Sequence, residues 1–479
     1  MNAYCQIQNA SVQIYEIYRQ KKAHEDFQIQ IEWEVKMTEM SFEQILEFFE
    51  NEQAEKLRSK INELHPADIA QIINQLPADF QNKAFALLTP EVASEVLSNL
   101  HDDLREEILE NIHQPRLVEI MDEMDSDEAA DIAAELDEDQ LKDVLEKIDK
   151  EDSEEIKELL VYDEDSAGGL MQKEIIAVHD NMNRDEMIEY IRENYDEVEN
   201  IHYIFVTDRA EKLLGILEVT KLLLARKDRS ASELMEKDII SIPVDMDQEQ
   251  VAHMFRKYDI YILPVVDENN KLLGRITVDD IIDVIDEEAS EDVYKMVGLE
   301  SEDKVFTKPI NSVAKRLPWL TLNLFTALLV SSVVGIFEAT IAKLSILAVL
   351  MPIVAGLGGN SGTQTLTVIV RGIALGELTI HNTSKAIFKE ITVGLINGII
   401  IGSAAMLIAY LLKGNLMLGV VLGAAMICNM FIAGLVGSLI PVVLKSLKID
   451  PALASSIMIT MLTDIGGFAS FLGLATILL

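Results

Sequence analysis

The stretch PALASSIMITMLTDIGGFASFLGLATILL, residues 451–479, contains a single charged residue, Asp464, near its middle. About 20 consecutive apolar residues are enough for a helix to cross a lipid bilayer, so this stretch predicts a transmembrane helix. An ionised carboxylate at bilayer depth costs at least about 2.5–3.5 kcal/mol on insertion scales, and such residues usually serve a function. Asp464 is therefore the first candidate functional residue. The alternative, an acid on the surface of a soluble helix, requires water there.

Four further apolar stretches precede this one. They lie at about 317–337, 344–370, 391–412 and 415–444, and the last span covers 451–479. This pattern predicts an all-α transmembrane domain of five helices over residues 314–479, embedded in the lipid bilayer.

The basic residues between the spans indicate an orientation. If the N-terminal part is cytoplasmic, the outer side holds only Lys343 and Lys413. The inner side then holds seven basic residues, which are Lys315, Arg316, Arg371, Lys385, Lys389, Lys445 and Lys448. Since positive charge accumulates on the cytoplasmic side, we predict an N-terminus inside, a C-terminus outside and a location in the cell (plasma) membrane.

Charge divides the chain into two unlike parts. Residues 314–479 carry nine Lys/Arg and five Asp/Glu, which leaves 31 basic and 76 acidic residues, of totals of 40 and 81, in residues 1–313. The net charge is therefore about −45 in the first part and about +4 in the second. A region as acidic as residues 1–313 attracts cations and repels nucleic acid. We therefore expect divalent cations as partners and no nucleic acid.

Polar and small residues recur at helical spacing on one side of the second and the last span. Close packing of helices explains most of the glycines, but it does not explain Asn360, Gln364 and Asp464 together. Polar groups at membrane depth are tolerated where they are buried in protein or line water. We therefore predict a wet path with these lining residues: Gly356, Gly359, Asn360, Thr363, Thr460 and Gly467.

A single carboxylate cannot replace the hydration shell of a small divalent ion. Mg²⁺ gives up its water reluctantly, so a sparse site would hold it largely hydrated. A symmetric dimer would bring two copies of Asp464 to one axis and form an acidic ring, a known device for cation selectivity. Proton relay is the rival role for a lone intramembrane acid.

A 12-residue period runs from residue 64 to residue 148. Its apolar anchors are Leu64, Leu76, Leu88, Leu100, Ile112, Met124, Leu136 and Ile148, and each precedes a turn-like segment rich in Asp, Thr or Pro. Such segments are typical of helix starts, so the period predicts a small α-solenoid over residues 41–164. Its outer face is acidic, notably at Asp127, Glu128 and Asp131. Residues 1–40 are predicted to be a disordered extension.

A second repeat covers residues 170–286. LMQKEIIAV at 170–178 aligns with LMEKDIISI at 234–242, and YIFVTD at 203–208 aligns with ILPVVD at 262–267. Each copy runs strand, helix, strand, turn, strand, helix. This α+β pattern resembles a tandem pair of cystathionine-β-synthase (CBS) domains, a regulatory module, with copies at 165–228 and 229–290.

The second copy carries the G-x-x-T-x-x-D pattern as Gly274, Thr277 and Asp280. In nucleotide-binding CBS domains this threonine and aspartate hold a ribose, so the resemblance implies ATP as a ligand of the second copy. The first copy departs from the pattern, since it has Glu218 and Lys221 at the last two positions. The alternative, that Thr277 and Asp280 only cap the helix at 279–286, stays open.

The whole order of domains resembles the MgtE family of magnesium channels over about residues 41–479. The most specific segments are AGGLM at 167–171, GRITVDDIIDVIDEEASEDVYKMVG at 274–298, GLGGNSGTQ at 356–364 and the KIDPALAS…TDIGG run at 448–467. The resemblance implies a homodimeric Mg²⁺ channel that takes up magnesium and whose cytoplasmic domains sense internal Mg²⁺.

The resemblance also implies roles for single residues. Asp464 matches the pore carboxylate of the family, and residues 291–313 match a connecting helix, the plug, against the cytoplasmic side of the pore. The regulatory metal ligands carry over to Asp247, Glu249, Asp259, Asp283, Glu288, Glu291, Asp292 and Asp450, with Asp127 and Asp131 as the nearest matches in the helical domain.

These expectations define a gating hypothesis and its rivals. A soluble part near −45 repels itself when cations are scarce, and divalent ions that bridge its carboxylates would close the assembly. A proton- or sodium-coupled divalent cation exchanger would instead use Asp464 as a titrating carrier. A membrane-anchored nucleotide sensor would need no polar stripes. An enzyme is least favoured, because no nucleophile–base pair, H-E-x-x-H or phosphate loop occurs.

Overall fold

The computed structural model describes residues 54–194, 202–299, 309–379, 381–453 and 456–479, together with residues 45, 48, 303, 305 and 307. The predicted extension at residues 1–40 lies outside the described residues. The chain divides into two compact units, Met1–Asp280 and Ile281–Leu479.

In the described part of the helical domain, residues 54–164, nine short helices follow one another, as the 12-residue period predicts. They are α1 Ala54–Ile61, α2 Pro66–Gln75, α3 Ala78–Phe85, α4 Pro90–Ser98, α5 Asp102–Asn111, α6 Gln114–Met121, α7 Ser126–Glu135, α8 Glu138–Leu145 and α9 Lys150–Leu159. Helices α2, α4 and α6 begin with a proline in the first turn, and the Asp137 side chain caps α8. Proline has no N–H to leave unpaired at such a position, so it favours a helix start.

The helices of this domain share one apolar core. Helix α2 packs on α4, α4 on α6, α6 on α8 and α7 on α9. Five of the predicted anchors, Leu76, Leu88, Leu100, Leu136 and Ile148, are buried in that core, and Leu64, Ile112 and Met124 pack against it. The predicted α-solenoid is therefore confirmed.

The two CBS copies fold into two equivalent three-stranded sheets. The first contains β1 Ala177–His179, β2 Tyr203–Thr207 and β3 Leu213–Glu218, and the second contains β4 Ile242–Pro243, β5 Ile262–Val266 and β6 Leu272–Thr277. In each sheet the first pair is parallel and the second is antiparallel. Their helices are α10 Arg184–Asn194, α11 Val219–Leu224, α12 Ala231–Leu234 and α13 Gln248–Tyr258.

The two copies exchange their leading segments. Gln172, before the first sheet, pairs with Arg275 in β6, and Glu236, before the second sheet, pairs with Ile216 in β3. A Cβ at Gly274 would lie 2.7 Å from the Gln172 carbonyl oxygen, and one at Gly215 would lie 2.5 Å from that of Glu236. Only glycine allows this close approach, which explains its presence at the same place in both copies.

Helix α14, Val278–Met296, begins in the second CBS copy and continues into the second unit. It ends at Gly298, whose φ of +73° is left-handed, and the Leu299 N–H donates to the Tyr294 carbonyl. This is the Schellman arrangement that stops helices at glycine. The prediction of one connecting helix at 291–313 is therefore wrong. Residues 291–296 complete α14, and residues 309–313 begin the next helix.

Among the described residues after position 308, five long apolar helices follow, as predicted. They are α15 Pro309–Ile336, α17 Ile346–Ala374, α18 Thr383–Lys413, α19 Leu416–Ser446 and α20 Ser456–Leu478, with the short α16 Glu338–Lys343 after α15. Helices α15 and α18 begin about eight residues before the predicted spans, because helical structure extends beyond the apolar part that hydropathy detects. Helix α20 begins later than predicted, since Pro451–Leu453 form a separate 3₁₀ turn.

Glycines bring the membrane helices into close contact. A Cβ at Gly402 of α18 would lie 2.7 Å from the Gly423 carbonyl of α19, and one at Gly423 would lie 2.9 Å from the Gly402 carbonyl. Small residues permit this backbone approach in lipid, where the hydrophobic effect does not drive helices together.

Candidate cation path and regulatory carboxylates

Asp464 lies near the middle of α20 and is partly buried. Its Oδ1 is buried and has no hydrogen-bond partner among the described residues. Thr460, one turn earlier, lies against Gly359 of α17, where its Oγ1 would be 3.7 Å from a Cβ at that glycine. Helices α17 and α20, which carry the two polar stripes of the sequence, are therefore neighbours.

The predicted lining residues divide into two groups. Gly356, Asn360 and Thr460 are exposed on the surface of the single chain, and Thr363 is partly buried. Gly359 and Gly467 are instead buried in contacts with Thr460 and with Asn429 of α19. A Cβ at Gly467 would lie 2.6 Å from Nδ2 of Asn429, so this glycine permits close helix packing, whereas a Cβ at Gly359 would make only ordinary contact with Thr460. Neither glycine lies on the exposed face of the single chain, unlike Gly356, Asn360 and Thr460.

Asp127 occupies a buried position at the start of α7, with 7 % of its surface exposed. Its Oδ1 is buried and unpartnered in the described part of the chain. Burial and the negative charge of Asp280 raise the pKa of Asp127 well above its ordinary value. A carboxylate of the helical domain thus lies close to one of the second CBS copy.

Two neighbouring carboxyl groups share this environment. Burial is the main cause that raises the pKa of Glu128 to about 7, and Asp125 and Asp280 add to it. Burial likewise raises the pKa of Asp280 to about 6, although a hydrogen bond from Thr277 opposes the shift. We call Asp127, Glu128 and Asp280 the carboxylate cluster. Burial and mutual repulsion disfavour the ionised form of these three carboxyl groups, and a bound proton or cation reduces that cost.

Hydrogen bonds from the leading segment of the first CBS copy, the Glu174 clamp, hold the residue that precedes this cluster. The Glu174 carboxylate accepts hydrogen bonds of 3.0 Å from both the backbone N–H and the hydroxyl of Ser126. The Lys173 backbone N–H donates to the same hydroxyl at 2.8 Å, and the Lys173 ammonium pairs with Glu158 at 2.9 Å. The N-terminus of α7, and with it Asp127, is thereby tied to the CBS pair.

Asp131, the second predicted ligand of the helical domain, lies one turn further along α7, beside Arg105. Burial lowers the pKa of Arg105, but Glu135, Asp102 and Asp131 more than offset this and raise it. In this structure Asp131 therefore stabilises the charged form of Arg105.

Three predicted ligands frame helix α13. Asp247 is its N-cap and accepts a hydrogen bond from the Glu249 backbone N–H at 3.1 Å, while Asp259 is its C-cap with a left-handed φ of 51°. An eleven-residue helix is roughly 16 Å long. Asp247 and Asp259 therefore cannot hold one ion together within a single chain.

The remaining predicted ligands belong to α14 and to the loop before α20. Asp283 and Glu288 lie on α14. Glu291 and Asp450 meet around the Lys295 ammonium, at 2.5 and 2.8 Å. Burial and the nearby Asp450 raise the pKa of Asp292. The Lys295 ammonium thus lies between two carboxylates, Glu291 and Asp450, to which the resemblance assigns a metal ion.

Within the described ranges, no three His, Cys, Asp or Glu side chains are arranged as a group that could hold a metal ion. The carboxylate cluster has two members from one helix and one from another domain, so it offers partial coordination only. Mg²⁺ commonly keeps several waters and binds through one or two carboxylates, which such a cluster can provide.

Thr277 and Asp280 take the capping role. The Asp280 carboxylate accepts from the Thr277 hydroxyl at 2.6 Å and from its backbone N–H at 3.2 Å, at the start of α14. The two residues therefore do form a helix cap, while a nucleotide site at the same residues stays a prediction.

Sequence reasoning missed three residues that the fold singles out. Asn429 is fully buried in α19, and Glu390 is buried in α18, where it pairs with Lys389 and accepts from Thr365 at 3.4 Å. Lys295 is the third. For Asn429 and Lys295 the detectable signal was a single polar or basic residue inside an otherwise apolar or acidic segment, whereas Glu390 directly follows Lys389 and gives no such signal.

The arrangement defines a multi-pass membrane protein with a CBS pair and an acidic helical domain. Family models match the divalent cation transporter domain MgtE at residues 351–474, the MgtE intracellular N domain at 64–165 and CBS domains at 167–228 and 231–287. The chain belongs to the MgtE family of magnesium transporters.

Individual relatives agree with this assignment. The magnesium transporter MgtE of Enterococcus faecalis is 36 % identical over 321 residues, which cover 67 % of this chain and 71 % of the relative. The MgtE of Bacillus subtilis is 31 % identical over 419 residues, 88 % of this chain and 93 % of the relative. A crystal structure of the cytosolic domain of the Mg²⁺ channel MgtE in complex with ATP is 32 % identical, with a TM-score of 0.49, and covers 51 % of this chain and all of that one (100 %).

Proposed function

We propose that this chain forms a homodimeric, Mg²⁺-selective channel of the cell membrane that mediates magnesium uptake and is closed by cytosolic Mg²⁺. The observation that carries the gating proposal is the carboxylate cluster, because Asp127 and Asp280 belong to different domains and the charge of Asp280 raises the pKa of Asp127. Among the described residues, Oδ1 of Asp127 has no hydrogen-bond partner.

Mg²⁺ at this cluster would favour the assembled state of the helical domain and the CBS pair. Carboxylates that are buried near one another repel, and a divalent ion converts this repulsion into attraction. A ligand shifts a conformational equilibrium only through its different affinity for the two states, and carboxylates contributed by two domains provide such a difference. The regulatory set of this proposal comprises Asp127, Asp131, Asp247, Glu249, Asp259, Asp283, Glu288, Glu291, Asp292 and Asp450, with Asp280 added.

Asp464 is the proposed pore residue. It lies near the middle of α20, one turn from Thr460, which contacts Gly359 of α17. Two copies of its carboxylate in a dimer would attract a hydrated divalent cation without stripping its water. The N-terminus is proposed to be cytoplasmic from the seven inner against two outer basic residues.

Uptake of Mg²⁺ in a transport-deficient cell tests the pore assignment. Asp464→Ala and Asp464→Asn should both reduce uptake strongly, because neither presents a charge to the cation. Unaltered uptake in both would contradict the assignment. Flux that persists in the absence of any proton or sodium gradient would exclude the competing function, a coupled divalent cation exchanger.

Flux into proteoliposomes with Mg²⁺ fixed on the cytoplasmic side tests the gating. Asp127→Asn and Asp280→Asn should raise the half-inhibiting Mg²⁺ concentration roughly tenfold, about the effect of 1.4 kcal/mol of lost binding. Asp79→Asn, at an exposed acid on α3, is the matched control and should behave as wild type. The proposal fails if these variants, and variants neutralised at 283–292, keep wild-type inhibition.

ATP at the second CBS copy is a further part of the proposal, supported by Gly274, Thr277 and Asp280 in the ribose-binding pattern. A ribose there would have to replace the Thr277–Asp280 hydrogen bond. Calorimetric titration with ATP should give binding to wild type and weaker binding to Thr277→Ala; equal affinities would locate the nucleotide elsewhere.

A further inference from the structure

Asn429 is a fully buried polar side chain in a membrane helix, and one of its two polar atoms has no hydrogen-bond partner among the described residues. It lies midway along α19 with 0 % of its surface exposed. Its Nδ2 donates to the Val354 carbonyl of α17 at 2.8 Å, while its Oδ1 is buried and has no partner among the described residues. Other buried polar groups nearby, such as Ser438 and Thr463, donate to carbonyls of their own helices.

The surroundings of Asn429 are shaped for it by glycines on two other helices. A Cβ at Gly358 of α17 would overlap its carboxamide, and a Cβ at Gly467 of α20 would lie 2.6 Å from its Nδ2. Glycines elsewhere on these helices, at Gly356 and Gly473, would meet nothing within 4 Å. Glycines on both α17 and α20, the helices with the polar stripes, therefore leave room for the Asn429 side chain.

The position of Gly467 places Asn429 near Asp464. Residues three apart on a helix lie on one face, about one turn from each other, so the carboxamide packs on α20 one turn from the carboxylate. Asp464 also has a buried Oδ1 without a partner. Oδ1 of Asn429 and Oδ1 of Asp464, both buried and both without a hydrogen-bond donor among the described residues, thus lie where α19 packs on α20.

A donor for both oxygens has to come from outside the helical backbones. Backbone N–H groups in the middle of α17 and α20 are used within their own helices, as membrane helices require. A water molecule carries two O–H donors and is retained in interiors where it finds two or more polar partners.

We propose that Asn429 is a positioning residue of the cation path, whose Oδ1 accepts a hydrogen bond from a water molecule that also donates to Oδ1 of Asp464. The inference rests on the proposed pore role of Asp464. Through this water Asn429 holds the carboxylate in one orientation, and its Nδ2 fixes α17 at the same point. The selectivity for a hydrated cation depends on this orientation of the carboxylate.

A pair of variants separates this role from packing. Asn429→Ala and Asn429→Ser leave nearly the same space, but only serine has an oxygen that can accept from water. Full-length protein in proteoliposomes is assayed for the ratio of Mg²⁺ to Ca²⁺ flux. Asn429→Ala should lower the ratio roughly tenfold, about the effect of one lost hydrogen bond to a charged system, and Asn429→Ser should stay within about threefold of wild type.

A second pair keeps the inference testable if both asparagine variants fail to fold. Gly467→Ala should displace the carboxamide and lower the ratio as Asn429→Ala does, whereas Gly473→Ala should match wild type. Equal ratios for Asn429→Ala and Asn429→Ser, a wild-type ratio in Asn429→Ala, or a wild-type ratio in Gly467→Ala would each overturn the inference. If Asp464→Ala and Asp464→Asn both transport normally, the proposed pore fails instead; if only the Asn429 and Gly467 variants are normal, the pore stands and this inference alone fails.

Discussion

Asp127, Glu128 and Asp280 illustrate how much a single residue's surroundings change its chemistry. Each would be fully ionised at neutral pH in an unfolded chain, yet burial raises the pKa of Glu128 to about 7 and that of Asp280 to about 6. The folded state therefore binds protons that the unfolded state releases. In the proposed function, protons and Mg²⁺ would compete for these groups.

The pH dependence of stability follows from the sign of these shifts. Because the folded-state pKa values lie above the unfolded ones, stability is unaffected below about pH 4, falls as pH rises toward about pH 7, and then stays low. In Mg²⁺-free buffer, the melting temperature of the full-length protein should be higher at about pH 6 than at about pH 8. Glu128→Gln should reduce this difference, measured by differential scanning fluorimetry. A melting temperature that rises with pH over this range would contradict the prediction.

Lys295 provides a second case, because it neutralises two carboxylates that the family resemblance assigns to Mg²⁺. Without the ammonium, Glu291, Asp292 and Asp450 would lie together with no counter-ion, so their affinity for a divalent ion should rise. Lys295→Met should therefore lower the half-inhibiting Mg²⁺ concentration several-fold in the flux assay, roughly as one charge pair predicts. Lys413→Met, at an exposed lysine on α18, serves as control. A higher half-inhibiting concentration would mean that Lys295 only holds the two segments together.

At the scale of elements, the membrane helices depend on backbone contacts that one methyl group can disturb. Gly402→Ala should destabilise the packing of α18 on α19, because the added Cβ would lie 2.7 Å from a carbonyl oxygen that belongs to a rigid helix. We expect a loss of about 1–3 kcal/mol, typical of overpacking. Gly335→Ala in α15 adds the same methyl where no atom lies within 4 Å, and should leave stability near wild type. Thermal denaturation in detergent compares the two, and equal melting temperatures would show that α18 and α19 can separate without cost.

The elements were largely predictable because their signals are periodic. The 12-residue spacing located the helices of the solenoid, and the two aligned copies located the sheets. The connecting helix at 291–313 was wrong because the stop depends on the left-handed φ of Gly298, and sequence spacing gives no dihedral angle. Gly359 and Gly467 were assigned to a lining for a related reason, since helical spacing gives a face but not the neighbour that covers it. Asn429 and Lys295 acquire meaning only from their contacts, with Val354 in one case and Asp450 in the other.

At the scale of the whole molecule, the separation of charge is the feature that connects the parts. Residues 1–313 carry a net charge of about −45, and the membrane part about +4. Repulsion of this size opposes compaction of the acidic part, and two kinds of cation effect can relieve it. Monovalent salt screens charges at distances beyond about 8–10 Å, whereas a bound divalent ion acts on the few carboxylates that it contacts.

Hydrogen–deuterium exchange of the full-length protein distinguishes the two effects. Millimolar Mg²⁺ should protect the backbone around Asp127 and Glu174, because a bridged carboxylate cluster and the Glu174 clamp hold α7 on the CBS pair. NaCl at the same ionic strength should protect these segments much less, since it screens but does not bridge. Asp127→Asn should lose most of the Mg²⁺-specific protection while keeping the response to NaCl, and Asp79→Asn should keep both. Equal protection by NaCl and Mg²⁺ would mean that charge density alone, and not a site, controls the acidic part.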